Sequence, residues 1–509
     1  MDNLQQLAQA VIQWGALTLL FAFGVGILAI GVIYVIDKTQ TSQTIRRNYP
    51  VVGRFRYFFE HLGEFFRQYF FAMDREELPF NRAERSWAYR AAKQVDTTIA
   101  FGSTRPLNLE GEAIFLNSAF PTLEEDAVES EAVTIGEGCC TKPYTTKSII
   151  NISGMSFGAI STPAILALSN GAREAGIWMN TGEGGLSPHH LAGGADIVFQ
   201  IGTAKYGVRT ADGKLCDEKL KEMAAHEQVK MFEIKMSQGA KPGKGGILPA
   251  IKVTEEIANI RGIPVGEDSI SPNGHEEIKS VDDLLDMINR VRQVTGKPTG
   301  FKMVVGQLDF WDDLFAAIHK RGLEQAPDFI TIDSADGGTG AAPQPLMDYV
   351  GMTIRESLPM IIDLLHEYGL RERIKVICSG KLITPGKVAW ALSVGADFCT
   401  SARGFMFALG CIQALQCNKN TCPTGITTHK AELQRGLVPE DKAVRVAAYA
   451  KKIVYGVGLI AHSCGATEPR GLERSHVRVV EGGGYSKPMD ELYPERNTRP
   501  EYINVKTVQ

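Results

Sequence analysis

Three cysteines, Cys411, Cys417 and Cys422, fall within twelve residues, and Pro423 follows the last of them. Thiolates bind soft metals, and clustered cysteines in a reducing compartment point to a metal before a disulfide. A closed zinc site wants four ligands in tighter pairs. Iron–sulfur clusters are held by thiolates, often with proline beside the last, and three at these intervals suit a cluster that lacks one iron. On spacing alone, a metal site and a chance grouping stand level. The other six cysteines, at positions 139, 140, 216, 378, 399 and 464, read as core or surface thiols, and adjacent Cys139 and Cys140 receive no role. Nine in 509 residues are too sparse for a disulfide scaffold.

A second set of residues suits a flat anionic ring carrying a phosphate. Ser153-Gly154-Met155-Ser156 is a ledge of mostly small residues. Ser379-Gly380-Lys381 and Ala402-Arg403-Gly404 follow the last two predicted strands. Glycine there lets backbone N–H groups reach phosphate oxygens, and Arg403 adds a charge-assisted contact. Lys302 lies inside a predicted buried strand, where a lysine needs an anionic partner. A reduced flavin, anionic near N1, would serve, and so would a carboxylate.

These residues need a scaffold, and the chain predicts one. Strands are expected at 148–153, 177–181, 231–236, 300–305, 329–332, 374–378 and 396–400, with 197–201 as an eighth. Helices are expected at 163–175, 281–294, 310–319, 354–368 and 385–394. Such alternation predicts a parallel sheet with crossover helices. The glycine clusters come after the strands, where a (β/α)8 TIM barrel builds its active site. The open doubly wound alternative carries a G-x-G-x-x-G loop after its first strand, and none is present there. The fold class is therefore α/β, a barrel preceded by an N-terminal transmembrane helix and a small lead-in region.

Apolar residues make up 44% of the chain and charged ones 22%, which excludes a disordered or fibrous protein. A formal net charge of −4 argues against a nucleic-acid partner. Residues 11–36 carry no charge, enough to cross a bilayer as a helix. Lys38, Arg46 and Arg47 follow and no basic residue precedes, which puts the bulk of the chain on the cytoplasmic side of a single-pass anchor. Phe55, Phe58, Phe59, Leu62, Phe65, Phe66, Tyr69 and Phe70 then recur at helical spacing among Arg54, Arg56 and Arg67. That helix either lies in a membrane interface or packs on the catalytic domain. Four regions are expected: an anchor (1–40), a lead-in (41–140), the barrel with its cysteine loop (141–430), and a helical extension with a polar tail (431–509).

Over residues 145–430 the chain resembles the flavin-containing synthase domain of glutamate synthase. The resemblance rests on Met155-Ser156-Phe157-Gly158-Ala159-Ile160-Ser161, Gly182-Glu183-Gly184-Gly185 and Gln238-Gly239-Ala240-Lys241-Pro242-Gly243, then on Asp336-Gly337-Gly338-Thr339-Gly340 and the three cysteines, all in the family's order. It implies FMN, held by these loops including Gly337 and Gly338, and a [3Fe-4S] cluster on Cys411, Cys417 and Cys422. It implies an oxidoreductase acting on CH–NH2 donors, in which reduced FMN passes hydride to an imine of 2-oxoglutarate and ammonia, or another amine. Lys241 and Arg261 match substrate contacts. Glu183 matches a glutamate beside the imine, where it would stabilise a cation or relay a proton; the plain alternative is a carboxylate accepting N–H bonds in its own turn. Lys244 stands where the family usually has glutamate and Ile247 where it has glutamine, which leaves room for a different anionic substrate. Met1-Asp2-Asn3 replaces the expected glutaminase start, so a separate amidotransferase and a separate electron-donor protein are expected partners. The alternative function is a membrane-tethered FMN and iron–sulfur oxidoreductase, or electron carrier, for another substrate.

Overall fold

The computed structural model describes residues 2–503; Met1, the side chains of residues 2–4, Glu64 and Phe65, and the tail 504–509 lie outside the described residues. Two compact units divide between Ala83 and Glu84. The first is helical: Asp2–Thr39, Thr44–Asn48, and Gly53–Phe66 continued by a π-helical turn, Arg67–Phe71. Its helix Gln5–Thr39, whose most apolar 18-residue stretch has mean hydropathy 2.7, is long and apolar enough to cross a membrane.

The second unit is built on eight strands: β1 (Ile150–Ile152), β2 (Met179–Asn180), β3 (Ile197–Ile201), β4 (Val229–Lys235), β5 (Thr299–Val304), β6 (Phe329–Asp333), β7 (Lys375–Ser379) and β8 (Phe398–Ser401). Each pairs in parallel with the next, and β8 pairs back with β1 to close the barrel. Closure removes the open-sheet alternative. All eight predicted strands are present. β1 and β2 are shorter than expected, and they meet at a single register pair, Ile152 with Met179.

Side chains in a strand alternate between faces, so residues two apart stack up the barrel axis. Trp178, Val198, Met231, Phe329, Ile377 and Phe398 form an apolar floor. Two residues further on stand Asn180, Gln200, Glu233, Thr331, Ser379 and Thr400, a buried polar layer. The floor is sealed from below by the hairpin of Val133–Ile135 and Tyr144–Thr146, which contributes Ile135 and Tyr144 to the same cluster.

The long helix Pro439–Cys464 packs on helix Thr162–Ala175. A Cβ at Gly171 would lie 2.6 Å from Cβ of Val446, so the close approach requires glycine. Strand Ala113–Phe115 pairs with Val477–Val480, which pairs with Ser486–Pro488. Segments from the lead-in and the C-terminal extension thus share one antiparallel sheet.

Gly171→Ala should lower stability by about 1–2 kcal/mol, because overpacking outweighs the gain of ~1 kcal/mol that alanine brings to an open helix. The midpoint of urea unfolding checks the sign.

Candidate functional site

The cleft lies at the carboxyl end of the strands, where barrels carry their sites. Its walls include Gly154, Met155 and Ser156 after β1, Glu183 after β2, and Lys241 after β4. Gly338 after β6, Ala402 and Arg403 after β8, and Cys417 complete the ring of loops. Sequence positions as far apart as Gly154 and Cys417 are therefore brought to one cavity by the parallel topology.

The polar layer sets the floor of this cleft. Glu233 accepts from Asn180 Nδ2 at 2.8 Å, Gln200 Nε2 at 2.7 Å and Thr331 Oγ1 at 2.6 Å. A Cβ at Gly154 would come within 2.8 Å of Asn180 Oδ1, which is why the second position of the ledge is glycine. Ser153 lies just below and closes the top of the β1–β8 seam by donating its N–H to Ser401 O at 3.2 Å. One layer higher, Lys302 pairs with Asp333 at 3.0 Å. Of its two expected partners, the carboxylate is therefore the one the protein supplies. Burial works against the charge on Lys302, but Asp333 and Glu233 outweigh it and raise its pKa. Asp333 also accepts the N–H of Gly239 at 3.0 Å, which ties the loop bearing Lys241 to the barrel.

Glu183 reaches Lys235 Nζ at 2.9 Å. An ion pair with the next strand but one thus holds it. Burial pushes its pKa up, but Lys235, Lys241 and Arg261 together hold it below the ordinary carboxylate value. Lys241 is buried and lines the cleft. Burial, then the charge of Lys235, lowers its pKa to about 8, against a smaller opposing pull from Glu183. Arg261 is fixed at the end of helix Glu255–Arg261 by bonds to Ser269 Oγ at 3.1 Å and Phe157 O at 3.0 Å. Its guanidinium also faces the ring of Tyr206 at 5.2 Å. Ile247, one of the two departures, forms part of the cleft wall, whereas Lys244 is absent from it.

The two phosphate-type loops sit where the sequence puts them. Gly380 has φ +132°, and a Cβ there would overlap Ser334 Cβ at 2.2 Å. Lys381 pairs with Asp336 at 2.9 Å. A Cβ at Gly404 would overlap the Tyr449 hydroxyl. Gly337 donates its N–H to Ser334 O at 2.9 Å, and Gly338 leaves room for the side chain of Arg403. Among the described residues no protein acceptor takes the N–H of Gly380, Lys381 or Arg403. Arg403 itself turns to the cysteine loop, donating to Thr339 O and to Cys417 Sγ at 3.8 Å.

Cys411, Cys417 and Cys422 all act on that guanidinium: burial disfavours its charge, but the three thiols more than offset this. Burial raises the Cys411 pKa. At Cys422 it does the same, yet hydrogen bonds from Thr424 and Thr427 leave the thiol below its ordinary value. Lys252 donates to Cys417 O at 3.2 Å and to Ala159 O at 2.8 Å, joining the cysteine loop to the ledge. Among the described residues no three His, Cys, Asp or Glu side chains converge as ligands of one metal ion. All nine cysteines are free. Cys140 lies at the far end of the barrel, 3.5 Å from Asp328.

Sequence reading missed Glu233, Lys235, Asp333 and Lys252. A signal existed for the first two: charges at alternate positions of an otherwise apolar strand must face a polar interior.

The conserved region that defines glutamate synthases matches residues 102–467. The glutamate synthase large subunit-like protein YerD of Bacillus subtilis (strain 168) is 40% identical, over 93% of this chain and 98% of its own. The archaeal glutamate synthase [NADPH] of Methanocaldococcus jannaschii is 35% identical, over 67% of this chain and 64% of its own. The chain thus spans nearly all of the first relative and under two thirds of the second. A flavocytochrome b2 variant with benzoylformate overlays with TM-score 0.46 and 12% identity, covering 84% of this chain and 86% of that one, a distance at which the overlay adds nothing to the strand pairing. With the motif loops meeting at one barrel mouth and the family's region covering most of the sequence, the chain belongs to the glutamate synthase family.

Proposed function

We propose that this protein is a membrane-anchored glutamate-synthase-like flavoprotein oxidoreductase. It would carry FMN at the barrel mouth and a [3Fe-4S] cluster on Cys411, Cys417 and Cys422. The observation that carries the reading is the convergence of Glu183, Lys241 and Arg261 on one cleft, beside loops whose N–H groups lack protein acceptors.

The residues fit both groups. The N–H groups of Gly380, Lys381 and Arg403 suit a phosphate, and the ledge Ser153–Ser156 with Gly337 and Gly338 suits a ring. Lys302, already paired with Asp333, adds positive field below that seat rather than a free charge. Three thiols beside Arg403 suit an anionic cluster, whose ligands bind different irons and need not converge on one point.

When bound, FMN supplies hydride to the carbon of an imine formed from 2-oxoglutarate and ammonia or another amine. The chain's own residues do the rest. Lys241 and Arg261 are fixed cations for the carboxylates of the substrate. Glu183, kept ionised by its three cations, holds the developing positive charge at the imine nitrogen or relays its proton. Ile247 offers only an apolar wall, so carboxylate recognition rests on the two cations. The helix Asp2–Thr39 would cross the membrane once and leave the barrel in the cytoplasm, with Lys38, Arg46 and Arg47 on that side. Electrons would come from a separate donor protein, and ammonia from solution or a separate amidotransferase.

The test is anaerobic purification of the full chain, cofactor analysis, chemical reduction, and measurement of glutamate formed from 2-oxoglutarate and ammonia. A fully loaded enzyme that makes no glutamate overturns the reading. Glu183→Gln should lower kcat about 10²- to 10⁴-fold with FMN content unchanged; a mere electron carrier would keep its transfer rate. Cys417→Ser should lose iron and sulfide in elemental analysis but retain FMN. Lys241 is charged below a pH of about 8 and neutral above it. Affinity for 2-oxoglutarate, read by calorimetry, should therefore fall as pH rises through that value, and Lys241→Gln should abolish the dependence.

A further inference from the structure

Asp37, at the end of the long apolar helix, is fully buried although it is charged and next to a chain bend. Three donors enclose it: Arg46 Nη2 at 2.6 Å, Arg54 Nη2 at 2.8 Å and the N–H of Val51 at 3.0 Å. Arg54 is the second residue of helix Gly53–Phe66. The start of that helix is therefore clamped to the end of the apolar one. A Cβ at Gly53 would lie 2.8 Å from Ile45 O, so the junction is also close-packed.

The clamped helix presents a face with no cover. At about 100° per residue, Phe55, Phe58, Phe59, Leu62 and Phe66 share one arc about 100° wide. Phe55, Phe58 and Phe59 are 58%, 57% and 61% exposed, and Phe70 and Phe71 in the following turn are each 74% exposed. Arg54, tied to Asp37, and the exposed Arg56 flank the arc on its two sides, and a long basic side chain such as that of Arg56 snorkels to water and phosphate. So large an apolar stripe would not stay in water.

We infer that Gly53–Phe71 lies in the headgroup–acyl boundary of the membrane that the first helix enters, with Arg56 and Arg67 on anionic lipid phosphates. The inference rests on the anchored reading above. It is favoured by continuity: the Asp37 clamp ends the apolar span and begins the aromatic stripe at the same level. Aromatic side chains prefer that level, and a basic flank matches an anionic leaflet.

The experiment uses the full-length protein carrying the photo-crosslinker Phe59→p-benzoylphenylalanine, in nanodiscs of phosphatidylcholine with and without phosphatidylglycerol. Mass spectrometry after irradiation should find lipid adducts, about fivefold more than with the same group at Tyr57 on the opposite face. The yield should rise with phosphatidylglycerol, and Arg56→Gln with Arg67→Gln should remove that rise. Adducts to peptides from residues 84–509, or no adduct at all, would overturn the inference. Alkaline carbonate washing separates the two failures. Protein released by it sinks the anchored reading, whereas protein retained without lipid adducts sinks only the interfacial helix.

Discussion

A carboxylate enclosed in a barrel of parallel strands must be neutralised or hydrogen-bonded where it stands, because water cannot reach it. Here that requirement organises the upper half of the barrel. Glu233 takes three donors from three other strands, Asp333 takes Lys302 and a loop N–H, and Glu183 takes Lys235. The bonds run between strands rather than along them. They fix the loops at the mouth to one another, and removing Lys302 or Lys235 would leave a buried carboxylate without its ion-pair partner, a loss of about 3–5 kcal/mol in comparable cases.

The same network gives the cleft its electrostatic character. Against its burial, Lys235, Lys241 and Arg261 together keep Glu183 ionised, while burial first and repulsion from Lys235 second make Lys241 easier to deprotonate than an ordinary lysine. An anionic ligand arriving between Lys241 and Arg261 relieves that repulsion. Beyond the cleft, Lys252 and Arg403 connect ledge, mouth loop and cysteine loop in one continuous set of contacts. The cysteine loop is thereby held next to the loops that follow β6 and β8.

The N-terminal unit solves a different problem with the same device. Asp37 is buried by two arginines and a backbone N–H, which allows a charge at the end of an apolar helix and fixes how the chain turns there. Its apolar surface, unlike that of the barrel, is left outside.

Much of the fold was legible because it follows from periodicity. Most strands of the barrel are buried on both faces and read as short apolar runs, and the five helices expected between them are present as Thr162–Ala175, Val281–Thr295, Asp309–Arg321, Ile354–Glu367 and Pro385–Val394. The glycine-rich loops were legible for the same reason: only glycine admits the φ of Gly380 or the close approach at Gly154. The order of motifs was enough to place Glu183, Lys241 and the three cysteines near one mouth. What the sequence alone could not decide was pairing. That Lys302 pairs with Asp333, Glu183 with Lys235 and Arg403 with Cys417 depends on residues 31, 52 and 14 positions away. Local sequence sets which residues are buried and on which face they stand. Only closure of the barrel brings the strands round until each buried charge finds its counterpart.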